Sequence, residues 1–252
     1  MLEFAAIAIA AIFVLAGFVK GVIGLGLPTI AMGLLAIVMP PAQAAALMIV
    51  PSLVTNVWQM LDGGHLRPVL ARLWPMLLAV CIGTWSGVGL MRGTYANYGA
   101  LALGLLLVLY AALGLSRVRF SLSRAQEAPV GAAAGFVTGL ITAATGVFVI
   151  PAMPFMQAIG LEMDELVQAL GAAFTVSTVA LAGNLIATDA FNVSLAGPAL
   201  AALGAALLGM WLGQALRQRM HPDVFRRWFF IGLLLLGCYL AGSAAAKIFL
   251  PQ

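Results

Sequence analysis

Long apolar runs with almost no charge inside them constrain the fold of this chain more than any other feature. Of its 252 residues, 63% are hydrophobic and only 8% are charged, whereas a soluble globular domain carries about 25% charged residues. A membrane-spanning helix needs roughly 20 apolar residues. We therefore expect an all-α integral membrane protein with about eight to ten hydrophobic segments, which leaves no room for a soluble domain.

Two of the apolar runs, 28–39 and 151–160, are too short to cross a hydrocarbon layer of about 30 Å as ordinary helices. Lipid cannot satisfy free backbone groups, so such pieces must lie inside the helix bundle. We predict half-helices or re-entrant segments at these positions. The other runs cover approximately 4–19, 42–61, 69–91, 96–115, 130–148, 166–187, 193–216 and 228–250.

A glycine-rich segment interrupts the chain where the first spanning helix would otherwise continue. Residues 16–28 read Ala-Gly-Phe-Val-Lys-Gly-Val-Ile-Gly-Leu-Gly-Leu-Pro. A related segment, Ala-Gly-Phe-Val-Thr-Gly-Leu-Ile, occupies residues 134–141. Broken hydrophobic segments at corresponding positions of two halves are the best sequence indication of a transporter's binding site.

Further matches between the halves predict an internal duplication. The first repeat is expected at 1–115, a cytoplasmic connecting loop at 116–128, and the second repeat at 129–252. The spacing between matched positions only rises along the chain, as small loop insertions would produce. The matches pair Gly17-Phe18-Val19 with Gly135-Phe136-Val137, Ala36-Ile37 with Ala158-Ile159, Thr55-Asn56 with Ser177-Thr178, the segment 83–87 with 209–213, and Tyr110 with Tyr239.

The basic residues favour inverted over parallel repeats. If each half crosses the membrane an odd number of times, one side collects ten basic residues and the other two; with four crossings per half, the bias mostly disappears. Cytoplasmic loops are enriched in Lys and Arg, so we expect inverted repeats with both termini outside, and topology rather than a nucleic-acid partner explains the net charge of +4. The larger group is Lys20, Arg67, Arg72, Arg117, Arg119, Arg124, Arg217, Arg219, Arg226 and Arg227, and the smaller is Arg92 and Lys247.

The positions of acids, histidines and cysteines argue against enzymatic chemistry. All eight acids are expected at loops or run ends, and His65 and His221 lie in loops. Intramembrane carboxylates mark proton relays and many intramembrane active sites, so a metalloprotease, a phosphoryl-transfer enzyme and a carboxylate-based pump are not expected. Cys81 and Cys238 fall inside apolar runs without a Cys-x-x-Cys motif and are interpreted as packing residues. We expect no cofactor and no metal.

Lys20 is the exception among the basic residues, because it lies about 16 residues into the first apolar run. An intramembrane lysine is by default a functional candidate. The alternative is a lysine that extends to the cytoplasmic interface. The corresponding position of the second copy is Thr138, a neutral donor.

The interruptions predict an anion site. Gly21, Gly24 and Gly26 permit unwound backbone and close approach of a ligand, and Pro28 suits the first turn of the next helix. Free N–H groups and the helix dipole at such a start attract anions. The alternative is that the glycines only allow tight helix packing. The residues in the same role in the second half are Thr142, Thr145, Gly146 and Pro151.

Polar residues on neighbouring runs complete the predicted substrate site. Buried hydroxyls and amides need partners, and these side chains either bind substrate or connect helices; the sequence does not choose between the two. On the run 42–61 they are Ser52, Thr55, Asn56 and Gln59, which share one helical face, and in the second half they are Gln168, Thr175, Ser177, Thr178 and Asn184.

These segments resemble the TauE/SafE family of sulfite and organosulfonate exporters. The likeness covers essentially the whole chain and is carried by residues 17–28 (GFVKGVIGLGLP), residues 40–56 (PPAQAAALMIVPSLVTN) and residues 64–67 (GHLR). It implies a multi-pass permease of the bacterial inner membrane for small sulfur-containing anions. The resemblance assigns the glycine-rich break to Gly21, Gly24 and Gly26 and a Pro-Ser-to-Asn element to Pro51, Ser52 and Asn56.

Together, the residues and the resemblance predict a secondary transporter that exports a small anion by alternating access around a midplane site. One half is expected to rock against the other. An anion channel and a carrier of small carboxylates are the alternatives. A channel would line a continuous pore with rings of polar groups, whereas this sequence concentrates its polarity at two interruptions. The oligomeric state is left open.

Overall fold

The computed structural model describes residues 2–93, 95–116, 121–190, 195–217 and 222–249. These residues form ten α-helices and no β-strand. Eight helices are long and apolar enough to cross a membrane, which confirms the predicted all-α membrane architecture. The helices are α1 (Leu2–Ile23), α2 (Leu27–Val38), α3 (Pro41–Leu61), α4 (Leu66–Ser86), α5 (Tyr95–Leu115), α6 (Arg124–Thr145), α7 (Ala152–Ala158), α8 (Met163–Ala187), α9 (Ala196–Arg217) and α10 (Pro222–Phe249).

Both short apolar runs are short helices, as the sequence predicted. α2 has 12 residues and α7 has seven. α6 begins at Arg124, inside the predicted connecting segment 116–128, because Ser123 and Gln126 form a capping box in which the Ser123 N–H donates to Gln126 Oε1 at 3.2 Å. Arg117, Arg119, Arg219 and His221, used in the sequence argument, lie outside the described residues.

The chain forms two compact units, and each combines helices from both halves of the sequence. The first unit holds α1, α2, α5, α9 and α10 with the first part of α3, and the second unit holds α4, α6, α7 and α8 with the rest of α3. The division within α3 falls between Pro51 and Ser52.

In the first unit, α1 packs along α9. A Cβ atom on Gly17 would overlap the carbonyl oxygen of Ala206, and one on Gly21 would overlap that of Met210. The contacts advance in the same direction along both helices, so α1 and α9 run parallel. The Gly-x-x-x-Gly spacing on α1 therefore serves direct backbone contact between helices.

In the second unit, α6 packs along α4 in the same way. A Cβ atom on Gly135 would overlap the carbonyl oxygen of Met76, and one on Gly139 would overlap that of Val80. Each unit is thus built on one parallel pair of helices in glycine-mediated contact, and each pair takes one helix from either half of the sequence.

These contacts correct the register of the predicted duplication. A Cβ atom on Gly83 would meet the carbonyl oxygen of Phe136, and a Cβ atom on Gly213 would meet that of Phe18. Phe18 and Phe136 occupy equivalent places in the two copies of the Gly-Phe-Val motif, so Gly83 corresponds to Gly213. The sequence match with Gly209 was wrong by one helical turn, because glycines recur at that spacing on both helices.

Helices α5 and α10 pack against each other in the first unit. A Cβ atom on Gly104 would meet the Ala241 backbone, and one on Gly237 would meet the backbone of Gly104 and Val108 at 2.8 Å. The contacts advance in opposite directions, so these two helices, one from each half, run antiparallel. Antiparallel packing of equivalent helices is consistent with inverted repeats.

Candidate functional site

The first interruption lies in the first unit, between α1 and α2. Gly24 and Gly26 have φ values of 83° and 110°, a region that side-chain-bearing residues rarely adopt. The Gly24 N–H donates to the carbonyl oxygen of Lys20 at 2.7 Å and closes the last turn of α1. A Cβ atom on Gly24 would meet no other atom within 4 Å. The backbone therefore turns away from α1 and leaves open space beside Gly24.

The start of α2 exposes backbone donors at this interruption. In the described part of the chain, no acceptor pairs with the N–H groups of Leu25, Gly26 and Leu27. Pro28 stands in the first turn of α2, where its missing N–H costs nothing. Free amides at the positive end of a helix are a general anion-binding arrangement.

Lys20 lies one turn before the interruption and is buried, with 4% of its surface exposed. The structure thus places the predicted basic residue in the last turn of α1, next to the break that contains Gly24 and Gly26. Gly21 differs from these two glycines, because its contact with the Met210 backbone gives it a packing role in α1.

The second interruption lies in the second unit and differs from the first in its backbone conformation and its surroundings. α6 ends at Thr145, its C-cap Gly146 has a φ of 71°, and residues 147–149 have no regular secondary structure. Val147, Phe148 and Val149 are buried by 99% or more. α7, with only seven residues, offers no developed helix dipole. The two interruptions occupy corresponding places in the halves. The N–H groups of Phe148, Val149 and Ile150 also have no acceptor among the described residues, so the first interruption differs in the open space beside Gly24 and in the neighbouring Lys20.

The threonines predicted for the site on α6 bond to their own helix. The hydroxyls of Thr138, Thr142 and Thr145 donate to the carbonyl oxygens of Ala134, Thr138 and Ile141 at 2.7 Å each. The Thr145 hydroxyl also accepts the Val147 N–H at 3.2 Å and so stabilises the end of α6. Thr175 on α8 bonds in the same way to Gly171.

A buried polar seam joins α3 to α8 in the second unit. Asn56 Nδ2 donates to the Thr178 hydroxyl at 3.4 Å, and Gln59 Nε2 donates to the carbonyl oxygen of Val167 at 3.0 Å. Gln168 Oε1 accepts the His65 N–H at 2.8 Å. The predicted residues Ser52, Thr55, Asn56, Ser177 and Thr178 are all buried here. Several of these polar groups therefore connect helices, one of the two roles that the sequence left open.

Two polar features were missed by the sequence interpretation. Glu127, expected at a run end, lies in the first turn of α6 and forms an ion pair with Arg72 at 2.6 Å. Thr29, in the first turn of α2, is fully buried, and its hydroxyl has no partner among the described residues. The position of Thr29 directly after Leu27-Pro28 could have identified it from the sequence. Arg72 and Glu127 are 55 positions apart, and no sequence pattern connected them.

Eight spanning helices, an interrupted helix and a buried basic side chain at the interruption characterise a multi-pass membrane protein of the transporter class. The sequence matches the family model described as Sulfite exporter TauE/SafE over residues 9–240, and the chain belongs to this family. This confirms the resemblance drawn from the motifs. Because the family consists of transporters, the finding is also consistent with a chain that is not an enzyme. No curated protein and no solved structure matches the chain.

Proposed function

We propose that this protein is a secondary transporter that exports small sulfur-containing anions, such as sulfite or organosulfonates, across the bacterial inner membrane. The family match supports the substrate class, since the description of the family names sulfite. The proposal concerns the substrate, the direction of transport and the membrane in which the protein lies.

The observation that carries the proposal is the interruption between α1 and α2. It combines a buried lysine with three free backbone N–H groups beside open space. Positive charge and amide donors complement an anion, and both are stronger in surroundings with little water. In this proposal Lys20, Gly24 and Gly26 bind the anion, and Gly21 holds α1 against α9.

The polar seam of the second unit supplies neutral donors and acceptors rather than charge. In our proposal Ser52, Thr55, Asn56, Ser177 and Thr178 contribute to substrate passage, with Ser52 the clearest candidate. Its hydroxyl is fully buried and has no partner in the described part of the chain. The remaining predicted contributors are Thr138, Thr142, Thr145, Gly146 and Thr175.

Flux measurements on reconstituted protein test the proposal. Liposomes with the purified protein and internal sulfite or sulfoacetate are expected to release the anion with saturable kinetics, and external substrate should accelerate release by exchange. Protein-free liposomes are the control. Absence of release for every sulfur anion contradicts the proposed substrate class, and release that does not saturate identifies a channel.

A further inference from the structure

We propose that the Thr29 hydroxyl is a direct ligand of a transported oxyanion and, with the free amides of Leu25, Gly26 and Leu27, forms an oxyanion subsite at the start of α2. This inference rests on the proposed function and adds a residue that the sequence interpretation did not include. The ligand class is an anion with at least two oxygen acceptors, such as sulfite or a sulfonate.

Thr29 is unusual among the buried threonines of this protein. The hydroxyls of Thr84, Thr138, Thr142 and Thr178 each donate to the carbonyl four residues earlier, at 2.6 to 2.8 Å. That bond is the ordinary way for a helical threonine to satisfy its hydroxyl. Thr29 stands in the first turn of α2, where the residue four positions earlier, Leu25, lies before the helix, and its fully buried hydroxyl has no partner among the described residues. A buried hydroxyl without a partner is costly, and a ligand that accepts its hydrogen bond removes this cost.

Thr29 stands at the end of α2 that adjoins the interruption. It is the third residue of α2, and the Cα–Cβ bonds of a helix tilt toward its N-terminus. The Gly26 carbonyl is already paired with the Ile30 N–H at 2.9 Å. Thr29 therefore shares the N-terminal end of α2 with the free amides of Leu25, Gly26 and Leu27, next to the open space beside Gly24.

The chemistry of these donors favours oxyanions. Backbone N–H groups can only donate, and a threonine hydroxyl can donate to an anionic oxygen or accept from a protonated one. An anion with two or more oxygens can accept the amide and hydroxyl hydrogen bonds at separate atoms, whereas a halide would have to accept all of them at one centre.

Affinity measurements on purified variants test the subsite. Binding of sulfite, sulfate, methanesulfonate, acetate, phosphate and chloride is compared by titration calorimetry at constant ionic strength. Thr29→Val should weaken oxyanion binding by at least about tenfold, because a hydrogen bond to a charged group is lost. Thr29→Ser should stay close to the parent, since it keeps the hydroxyl. Thr84→Val, a buried threonine bonded to its own helix, is the matched control and should leave affinity unchanged.

A second measurement separates a ligand role from a structural one. Thr29→Val removes a buried unpaired hydroxyl and keeps its shape, so the variant without anion should unfold at the same or a higher temperature than the parent. Higher stability together with weaker binding supports the subsite. A lower unfolding temperature with unchanged binding overturns it.

The outcomes distinguish this inference from the proposed function. If the parent binds sulfur oxyanions and Thr29→Val binds them equally well, the subsite is wrong and the proposed function stands. If only another oxyanion binds and its binding depends on Thr29, the subsite stands and the proposed substrate class fails. If no oxyanion binds the parent, both fail.

Discussion

Lys20 illustrates at the residue scale why a buried charge inside a span is a functional signal. Its side chain is 4% exposed, and a charged group within a membrane is expensive enough that neutral residues normally replace it. Packing does not require a lysine at this position, because the equivalent position of the second copy holds Thr138, which is also buried.

Replacement of Lys20 tests its role in binding. Lys20→Ala should weaken binding of the anion strongly, while Lys20→Arg, which keeps the positive charge, should weaken it less. Titration of purified protein with sulfite or sulfoacetate measures both affinities. Lys247→Ala removes the same charge from an exposed position in the last turn of α10 and should bind like the parent. Equal affinities in all four proteins would remove Lys20 from the site.

At the element scale, the ion pair between Arg72 and Glu127 connects three helices of the second unit. Arg72 donates to both Glu127 oxygens, at 2.8 and 2.6 Å, and to the carbonyl oxygen of Ile159 at 2.6 Å. Ile159 is the C-cap of α7. One guanidinium group therefore ties the end of this short helix to α4 and α6.

Removal of one partner should destabilise the second unit. Glu127→Gln leaves the Arg72 charge, whose side chain is 19% exposed, without its carboxylate, and breaking a well-buried pair costs about 3–5 kcal/mol. We expect a loss at or below the lower end of that range, since Arg72 is partly exposed. Unfolding of Glu127→Gln, Arg72→Gln and the double variant in mixed micelles measures the coupling. Strictly additive losses would show that the pair contributes nothing.

The glycine contacts between helices lead to a prediction about the stability of glycine-to-alanine variants. Gly17→Ala puts a Cβ atom into the Ala206 backbone, so the helices must separate, at a cost of about 1–3 kcal/mol. Gly204→Ala, on α9, meets no atom within 4 Å and should be neutral or slightly stabilising because alanine favours helix. Unfolding in mixed micelles compares the two. Similar losses in both variants would contradict a packing role for Gly17.

The whole molecule consists of two compact units that differ from the two sequence halves. The sequence interpretation assigned the rocking motion to the halves, but each compact unit takes helices from both. If the compact units are the moving bodies, α1 and α9 move together although they belong to different repeats.

Transport itself is tested at the scale of the whole molecule. Export of an anion from a negative interior is favoured by about 2.3 kcal/mol per charge per 100 mV. Outward flux of sulfite or a sulfonate from proteoliposomes should therefore rise when the interior is made negative with a potassium gradient and valinomycin. The same liposomes with the ionophore and no gradient are the control. Flux that does not change with the imposed potential would rule out export of net charge.

The sequence alone was sufficient to predict the class of the fold. Apolar runs of spanning length, two short runs and the glycine-rich interruptions lie in local stretches of chain, where length and hydrophobicity decide whether a helix crosses a membrane. Eight spanning helices, the short helices α2 and α7 and the family membership follow directly from those stretches. Lys20, Gly24 and Gly26 could be placed together because they are neighbours in the chain.

Only the tertiary structure decided which helices meet and in which register. The pairing of Arg72 with Glu127 joins distant positions, and the correspondence of Gly83 with Gly213 depends on which backbone each glycine touches. A repeated glycine spacing fits several registers equally well, and only close packing selects one of them. The unpaired hydroxyl of Thr29 is likewise a property of the folded chain, because burial and the lack of a partner depend on every helix packed around it.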